Sequence, residues 1–441
     1  MKRKRRSCVA YVDAFVQELA ARIAASRATV LSAGVRDALE RRFFDLTGSI
    51  AAGLQTAEAQ ATIAVLRRLQ ADTPAYRLGA LTVAARSTEL DDIDLISCTT
   101  PGSVVFPAAL VAAQLTGASS DTLATAVFAG YEVMTAMGLA LDGANAVYGS
   151  RWPTYFGAAM SVAATVSIAL DLNEDDILTA LAIAASMTTP YAGRINTDPI
   201  SRWLTLAAAA QAGLASAVGA AEGLQGDHGI FSACLGVEDV HVEAARRAFA
   251  HPALERTSSK PFCTGRQSLS AIEAFQRLIR DESIDPARIE RIEVLVPEQY
   301  RAMIDRARRP RTKSESRGVR YQLALAAYHP DELFDIDRRT LRLDDPAVIG
   351  LIERIDVHAS EALTRMYPAK WAASVRLETG GRSCTAEVIE PSGDPEHALS
   401  WSDIERKLRA VAAHLPRAVS VDDFSADARA LNFTGALARL N

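Results

Sequence analysis

Apolar residues recur at helical spacing over most of the N-terminal half of the chain. The segment 36–54 places them on one face and opens near Ser32, a residue type that favours the N-cap position. Asn173, followed by three acidic residues, marks another start before an apolar segment at 177–187. The segment 204–219 is almost wholly alanine, leucine and small residues, so we expect it to be buried on most sides. This pattern predicts a helical bundle with close backbone approach.

From about residue 255 the pattern becomes mixed, because stretches with a period of two alternate with helical ones. Strand-like alternation lies at residues 289–296, 355–358 and 373–379. Gly380 and Gly381 follow the last of these and predict a hairpin turn. The helical pattern returns after Ser402. We therefore predict a mostly α protein, in which an all-helical domain (9–258 and 400–441) is interrupted by a smaller α+β domain (259–399).

Composition and charge narrow the classes of partner. The chain has 441 residues and a net charge of −5, which gives no reason to expect nucleic acid as a partner. An arginine-rich run at 306–317 has no interleaved aromatics, so it does not change this expectation. The five cysteines are scattered without Cys/His ligand spacing, which indicates reduced thiols and argues against a metal site.

The start of the chain and its longest apolar run bear on localisation. The first six residues are basic, as at the start of a signal peptide, but Asp13 and Glu18 interrupt the apolar residues that follow. The apolar run 104–115 is too short to span a bilayer and contains Pro107 and Gln114. We expect a cytoplasmic protein with no membrane partner.

Three motifs carry a family resemblance. They are the stretch that begins Thr100-Pro-Gly-Ser, the stretch that begins Lys260-Pro-Phe-Cys, and Gly393-Asp-Pro-Glu-His-Ala-Leu-Ser-Trp. In order and spacing they resemble the MmgE/PrpD family, which includes 2-methylcitrate dehydratase, cis-aconitate decarboxylase and iminodisuccinate epimerase. The resemblance covers residues 10–435. All seven histidines lie at His228 or later, so the histidines typical of that family's active site are missing.

The resemblance implies a fold and a type of chemistry. Family members have a large helical domain and an α+β domain that acts as a lid, with the active site between them. The chemistry resembles proton abstraction next to a carboxylate, followed by elimination, decarboxylation or epimerisation, without a cofactor. The resemblance also implies a homodimer that pairs through the helical domain.

Five candidate residues of the helical domain follow from the resemblance. Asp92 is a candidate for substrate binding, although the acidic pair to which it belongs could instead simply cap and solvate a loop. Thr100 stands at a histidine position of the family, where it can orient a substrate oxygen but cannot act as a base near neutral pH. Trp152 also replaces a histidine. In the same loop, Tyr148 could shuttle a proton and Arg151 could clamp a carboxylate. Tyr148 and Trp152 could instead be packing aromatics.

Arg202 matches the position of a family lysine, and Thr205 matches the histidine that usually follows. The arginine keeps the positive charge but gives up the proton-transfer role that a lysine could play. An arginine that opens an apolar helix needs an anionic partner. A substrate carboxylate and a structural Asp or Glu are both open as that partner.

Four candidates lie in the α+β domain. Lys260 matches the family lysine and is predicted to be catalytic, although it could also solvate a domain-boundary loop. Arg266, in the same loop, is predicted to bind substrate. Leu269 stands at another histidine position, and Tyr321 matches a family tyrosine that reaches the pocket. The third motif, at Gly393, is expected to organise the return of the chain rather than the chemistry.

Two functions remain open at this point. The first is a cofactor-independent lyase or isomerase that uses Tyr148 or Lys260 for proton transfer and binds a small-molecule carboxylate. Loss of the histidines argues against the family's ordinary reactions and fits a paralogue in specialised biosynthesis. The bulk of Trp152, Trp203 and Leu269 favours a larger, partly apolar substrate. The second is a catalytically silent scaffold or binding protein that has kept the fold.

Overall fold

The chain divides into two units, a helical unit of residues Met1–Thr257 and Pro416–Asn441 and a mixed unit of Ser258–Leu415. The computed structural model describes residues 2–194, 197, 199–235, 241–308, 310–312, 315–338 and 341–440, and at 2–10, 234 and 235 only their backbone. The first boundary lies one residue before the expected one. The second lies at 415/416 instead of 399/400, because a helix at Trp401–Ala412 packs within the mixed unit and the His414 ring hydrogen-bonds to the Asp331 carbonyl oxygen (2.9 Å).

The helical unit is built from α-helices of very different length. In chain order they are α1 (Lys2–Ser26), α2 (Ala33–Gly53), α3 (Ala57–Gln70), α4 (Pro74–Ser87), α5 (Gly102–Thr116), α6 (Ser120–Ala140), α7 (Gly143–Ala146), α8 (Pro153–Ala169), α9 (Glu174–Ser186), α10 (Arg202–Ala221), α11 (Ile230–Leu235), α12 (Val242–Ala248) and α13 (Ala253–Arg256).

Local capping explains where several of these helices begin. The Ser32 hydroxyl accepts the Val35 N–H at the start of α2, and the Asn173 side chain accepts the Asp176 N–H at the start of α9. Both starts were predicted from sequence and are confirmed. The helices pack as closely as their composition indicated. A Cβ added at Gly213 in α10 would lie 2.2 Å from the Ala159 carbonyl oxygen of α8, so that crossing requires glycine.

Within the described part of the chain, two helices, Ser120–Ala140 and Arg202–Ala221, are long and apolar enough to cross a membrane by length and composition alone. The most apolar part of the first is 89% buried inside the helical unit, and that of the second is 61% buried. A helix at the centre of a bundle is apolar on all sides because neighbouring helices bury every face. Their burial therefore accounts for their hydropathy.

The mixed unit contains α14 (Arg266–Asp281), β1 (Ile289–Val296), α15 (Glu298–Ile304), α16 (Val319–Tyr328), α17 (Pro346–Glu353), β2 (Ile355–Ala359), α18 (Glu361–Met366), β3 (Ala373–Thr379), β4 (Arg382–Val388) and α19 (Trp401–Ala412). The strands form one sheet in the order β2-β1-β3-β4. β1 pairs parallel with β2 and antiparallel with β3, while β3 and β4 form the predicted hairpin. Gly380 and Gly381 both have positive φ, as a two-residue hairpin turn requires.

The chain then returns to the helical unit in α20 (Val421–Arg429) and α21 (Phe433–Arg439). α20 packs on α2 and α21 packs on α5. Phe433 stacks on Phe43 with 4.4 Å between ring centroids, and both rings are buried. The predicted architecture, a mostly α chain with a large helical part and a smaller α+β part, is confirmed.

Candidate functional site

The acidic loop before α5 is buried rather than solvated. Asp92 is fully buried, its Oδ1 accepts the Gly102 N–H (2.9 Å) and its Oδ2 accepts the Tyr131 hydroxyl (2.6 Å). Burial raises the pKa of Asp92 to about 6, although the nearby Arg42 and the Tyr131 hydrogen bond oppose this shift. A Cβ at Gly102 would lie 2.7 Å from Asp92 Oδ1, which explains the glycine. Asp92 therefore holds the turn into α5, and we assign it a positioning role instead of substrate contact.

The other carboxylates of this loop pair with arginines. Asp91, also fully buried, lies 3.4 Å from Nε of Arg86, and Asp94 lies 3.1 Å from Nε of Arg256. These ion pairs fix the loop on both sides of Asp92. The alternative that the acidic pair simply solvates a loop is therefore wrong.

Hydroxyl groups join the loop at Thr100 to the start of α8. Thr154, the second residue of α8, accepts the Thr100 N–H (3.0 Å), and the two hydroxyl oxygens lie 3.3 Å apart. The Ser103 hydroxyl lies 3.3 Å from that of Thr100. The N-termini of α5 and α8 therefore meet at one point, which we call the hydroxyl junction (Thr100, Ser103 and Thr154). Both helix dipoles favour negative charge there.

The loop that enters α8 carries three predicted site residues. Tyr148 lies in a 3₁₀ turn (Val147–Gly149) and is half-buried, as are Arg151 and Trp152. The Trp152 N–H donates to Pro190 O and its indole Nε1–H donates to Gly193 O, both at 2.7 Å. These bonds hold the segment 190–193 against the start of α8. Trp152 is also the N-cap residue of α8, and an indole cannot accept an N–H of the first turn.

Arg202 begins α10, and its guanidinium lies over the indole ring of the next residue, Trp203, 4.2 Å from the ring centroid. Trp203 is fully buried, and its Nε1–H donates to Glu58 (3.2 Å). The contact with the Trp203 ring stabilises the positive charge of Arg202 at the start of an apolar helix. Whether Arg202 contacts substrate stays a prediction.

Lys260 lies in the mixed unit and is only 2% exposed. The strand-like segment that carries it is fixed by a hydrogen bond from the Ser259 N–H to Gly393 O (2.8 Å). Gly393 has a φ of +95°, and a Cβ there would lie 2.0 Å from the Ser259 carbonyl oxygen. The motif at Gly393 therefore fixes the backbone next to Lys260. Because Lys260 is buried, the alternative that it solvates a boundary loop is wrong.

Arg266 has a structural partner in the same unit. Its Nε and Nη2 donate to the two oxygens of Asp394 (3.1 and 2.6 Å), and both side chains are almost fully buried. Its Nη1 lies 3.4 Å from both the Ser270 hydroxyl and the Trp371 carbonyl oxygen. The guanidinium is thus occupied by its own unit, and we assign Arg266 a structural role in place of the expected substrate contact.

Leu269 and Tyr321 are also buried. Leu269 is fully buried on α14, and its predicted contact with substrate stays a prediction. The Tyr321 hydroxyl accepts the Arg342 N–H (3.0 Å). Burial raises the pKa of Tyr321, which makes it a poor base near neutral pH. We therefore assign proton transfer to other residues.

Sequence reasoning missed three residues that build these sites. Tyr131, Thr154 and Asp394 each hold a predicted residue through a contact distant in sequence. Asp394 lies in a recognised motif, so its importance could have been inferred, whereas Tyr131 had no such signal. Among the described residues no group of three or more His, Cys, Asp or Glu side chains is placed to hold a metal ion.

Comparison with protein families identifies both parts of the chain. The model of the MmgE/PrpD N-terminal domain matches residues 17–250, and that of the MmgE/PrpD C-terminal domain matches residues 262–425. A search of curated proteins gave no match. The family is one of dehydratase- and lyase-type enzymes. Because the two models together match most of the sequence, the chain belongs to the MmgE/PrpD family.

Proposed function

We propose that this protein is a cofactor-independent lyase or isomerase that removes and returns a proton at a carbon next to a carboxylate or other carbonyl group. The observation that carries the proposal is the hydroxyl junction, where the N-termini of two long helices meet beside the loop that holds Tyr148 and Arg151. Positive helix ends and a guanidinium favour an anionic substrate. The family's dehydratase- and lyase-type chemistry supports the same substrate class.

Each residue has a proposed role. Arg151 binds a substrate carboxylate, and the Thr100 hydroxyl orients a second oxygen, because a hydroxyl can donate and accept but cannot act as a base near neutral pH. Tyr148 or Lys260 transfers the proton. Removal of a proton from the carbon leaves an enolate, whose negative charge the helix N-termini and Arg151 stabilise.

The fate of the enolate defines the reaction class. Return of the proton to the same carbon gives exchange or epimerisation. Loss of a β-hydroxyl group, which takes up a proton and leaves as water, gives dehydration. Both routes begin with removal of a proton from carbon, and return of a deuteron to the enolate reports this step, so proton exchange is the reaction to measure first.

An apolar part of the substrate is proposed from Trp152. The sequence suggested Trp152, Trp203 and Leu269 as the bulky residues of the pocket, but Trp203 and Leu269 are fully buried. The half-buried Trp152 retains that role, with its indole hydrogen-bonded to Gly193. A substrate larger than a simple tricarboxylate, from specialised biosynthesis, remains our proposal.

The experiment is proton exchange in D₂O, followed by NMR, over a panel of di- and tricarboxylates and larger β-keto and α,β-unsaturated acids. Tyr148→Phe and Lys260→Ala are the test variants. Their matched controls are Tyr11→Phe, at an exposed tyrosine of α1, and Lys370→Ala, at a half-buried lysine that pairs with Glu390.

We expect deuterium incorporation that at least one test variant reduces about 100-fold or more, while both controls retain it. Exchange that persists in both test variants would reject their catalytic roles. No exchange with any compound, including compounds that bind, would favour the alternative of a silent scaffold or binding protein.

We also propose that the protein is a cytoplasmic homodimer. The resemblance supports the dimer, and the scattered cysteines support a reducing compartment. Sedimentation velocity on the purified chain tests the first statement, since a monomer at micromolar concentration would contradict it. Fractionation of the producing cells tests the second.

A further inference from the structure

A cavity of about 440 Å³ opens in the helical unit between α1, α2 and α6. Its volume lies in the range typical of small-molecule sites. The walls are mainly apolar, and the residues that line the cavity include none of the proposed catalytic residues. Buried Leu19, Ile23, Val35 and Ala129 form its inner part. Val30 is 92% exposed, which places this residue at the mouth.

Two charged residues line this cavity, the exposed Arg22 and the buried Glu132. Glu132 of α6 is only 9% exposed, and one of its carboxylate oxygens accepts the Ala253 N–H (2.7 Å). Burial raises the pKa of Glu132, with Asp94 adding to the shift and the Ala253 hydrogen bond, Arg256 and Arg22 opposing it. A carboxylate in an apolar wall is unfavourable unless a charged or hydrogen-bonding partner compensates it.

The two arginines near Glu132 are occupied elsewhere. Arg256 pairs with Asp94 at 3.1 Å, and the guanidinium of Arg22 lies over the Phe249 ring, 4.3 Å from its centroid. In the part of the chain that the structure describes, neither arginine forms an ion pair with Glu132. Glu132 therefore has no ion-pair contact among the described residues, and Arg256 and Arg22 stabilise its charge only at longer range. The apolar walls can cover a hydrocarbon body.

We propose that this cavity binds a small primary amine with an apolar body, whose ammonium group pairs with Glu132. The ammonium forms the ion pair that neither arginine makes, and the hydrocarbon body covers the walls formed by Leu19, Ile23 and Val35. A carboxylate ligand would place a second negative charge beside Glu132 and is disfavoured. The proposal does not depend on the reaction proposed above.

The test is calorimetric titration of the full-length protein with octylamine, octanamide and octanoate, which share a hydrocarbon chain and differ in the head group. Glu132→Gln keeps an oxygen that can accept the Ala253 N–H but removes the charge. Glu174→Gln, at an exposed glutamate of α9 outside the cavity, is the matched control. Ala129→Leu narrows the cavity without changing its charge, and circular dichroism and thermal unfolding check that each variant folds.

We expect octylamine to bind at least about tenfold more tightly than octanamide, and octanoate to bind least. Glu132→Gln should weaken octylamine at least about tenfold and leave octanamide nearly unchanged. Ala129→Leu should weaken both ligands, and Glu174→Gln neither. Because burial raises the pKa of Glu132 above its ordinary value, octylamine binding at mildly acidic pH should release a proton, seen as a heat that depends on the buffer. The release should disappear in Glu132→Gln.

Three results would overturn the proposal. One is that octylamine does not bind. The second is that octanamide binds as tightly as octylamine, since the charge would then have no role. The third is that a folded Glu132→Gln protein retains full affinity for octylamine. If Glu132→Gln does not fold, the difference between the head groups and the effect of Ala129→Leu still decide the outcome.

Discussion

The buried ion pair of the mixed unit allows a prediction of large magnitude. Asp394 and Arg266 form a two-point contact, Ser258 donates a further hydrogen bond to Asp394 (2.8 Å), and neither charge is exposed to water. Asp394→Ala would leave the guanidinium buried without its counter-charge. Breaking a buried pair in this way costs about 3–5 kcal/mol, far more than the pair contributes relative to apolar residues.

The assay must report on this unit alone, because unfolding of a chain with two units need not be two-state. Hydrogen exchange of the β3 peptide 373–379, in the centre of the sheet, meets this need. A loss of about 3–5 kcal/mol corresponds to a fall in protection of about 150- to 4,000-fold. The control is Glu361→Ala, because Glu361 forms an exposed pair with Arg365 on α18 that should contribute about 0.5 kcal/mol or less.

A further variant separates charge from packing. The double substitution of Arg266→Met with Asp394→Leu replaces both charges with apolar groups, and we expect most of the lost stability to return. If Asp394→Ala changed protection no more than the Glu361 control, the assignment of Arg266 as a structural residue would be refuted. Arg266 would then be available for substrate binding after all.

Three further outcomes follow from buried contacts. Asp92 has a pKa of about 6 in the folded chain against an ordinary value of 3.8, so it contributes stability below about pH 4 that is lost as the pH rises through about 6. In Asp92→Asn the fall in the unfolding free energy between pH 4 and 7 should be smaller by about 3 kcal/mol, and an unchanged pH profile would contradict this. Gly393→Ala forces a Cβ to 2.0 Å from Ser259 O and should cost about 3 kcal/mol, measured by hydrogen exchange of the β3 peptide. Gly350→Ala, in a helix with open space, should be neutral or stabilising, and equal effects of the two substitutions would reject the argument. Tyr321→Phe leaves the Arg342 N–H without its acceptor and should lower the unfolding free energy by about 1 kcal/mol. Deuterium incorporation into the substrate should persist in this variant, and its loss would return Tyr321 to the catalytic residues.

The features that sequence predicted well are those with a local cause. The starts at Ser32 and Asn173 depend on side chains that bond to N–H groups three residues away, and the hairpin depends on two adjacent glycines with positive φ. Both signals lie within a few residues of the feature they specify. Sequence alone therefore placed these helix starts and the hairpin, as well as the change from helical to mixed character.

The site could be predicted only in part, because its residues depend on contacts between distant parts of the chain. Arg266 and Asp394 are 128 residues apart, and an arginine bound to a structural carboxylate has the same local sequence as one that waits for a substrate. Thr100 and Thr154 are 54 residues apart, and nothing in either motif indicates that their hydroxyls meet. Burial decided these cases, and one sequence does not reveal the burial of a polar side chain.

The presence of threonine instead of histidine at position 100 limits what the junction can do. A histidine there would supply a base near neutral pH, whereas Thr100 shares hydrogen bonds with Ser103 and Thr154 and gives a neutral, hydroxyl-lined surface at two helix N-termini. Such a surface can stabilise an enolate but cannot create one. Catalysis by this chain therefore requires a proton acceptor outside the junction, which is why the substitutions at Tyr148 and Lys260, and not at Thr100, distinguish an enzyme from a scaffold.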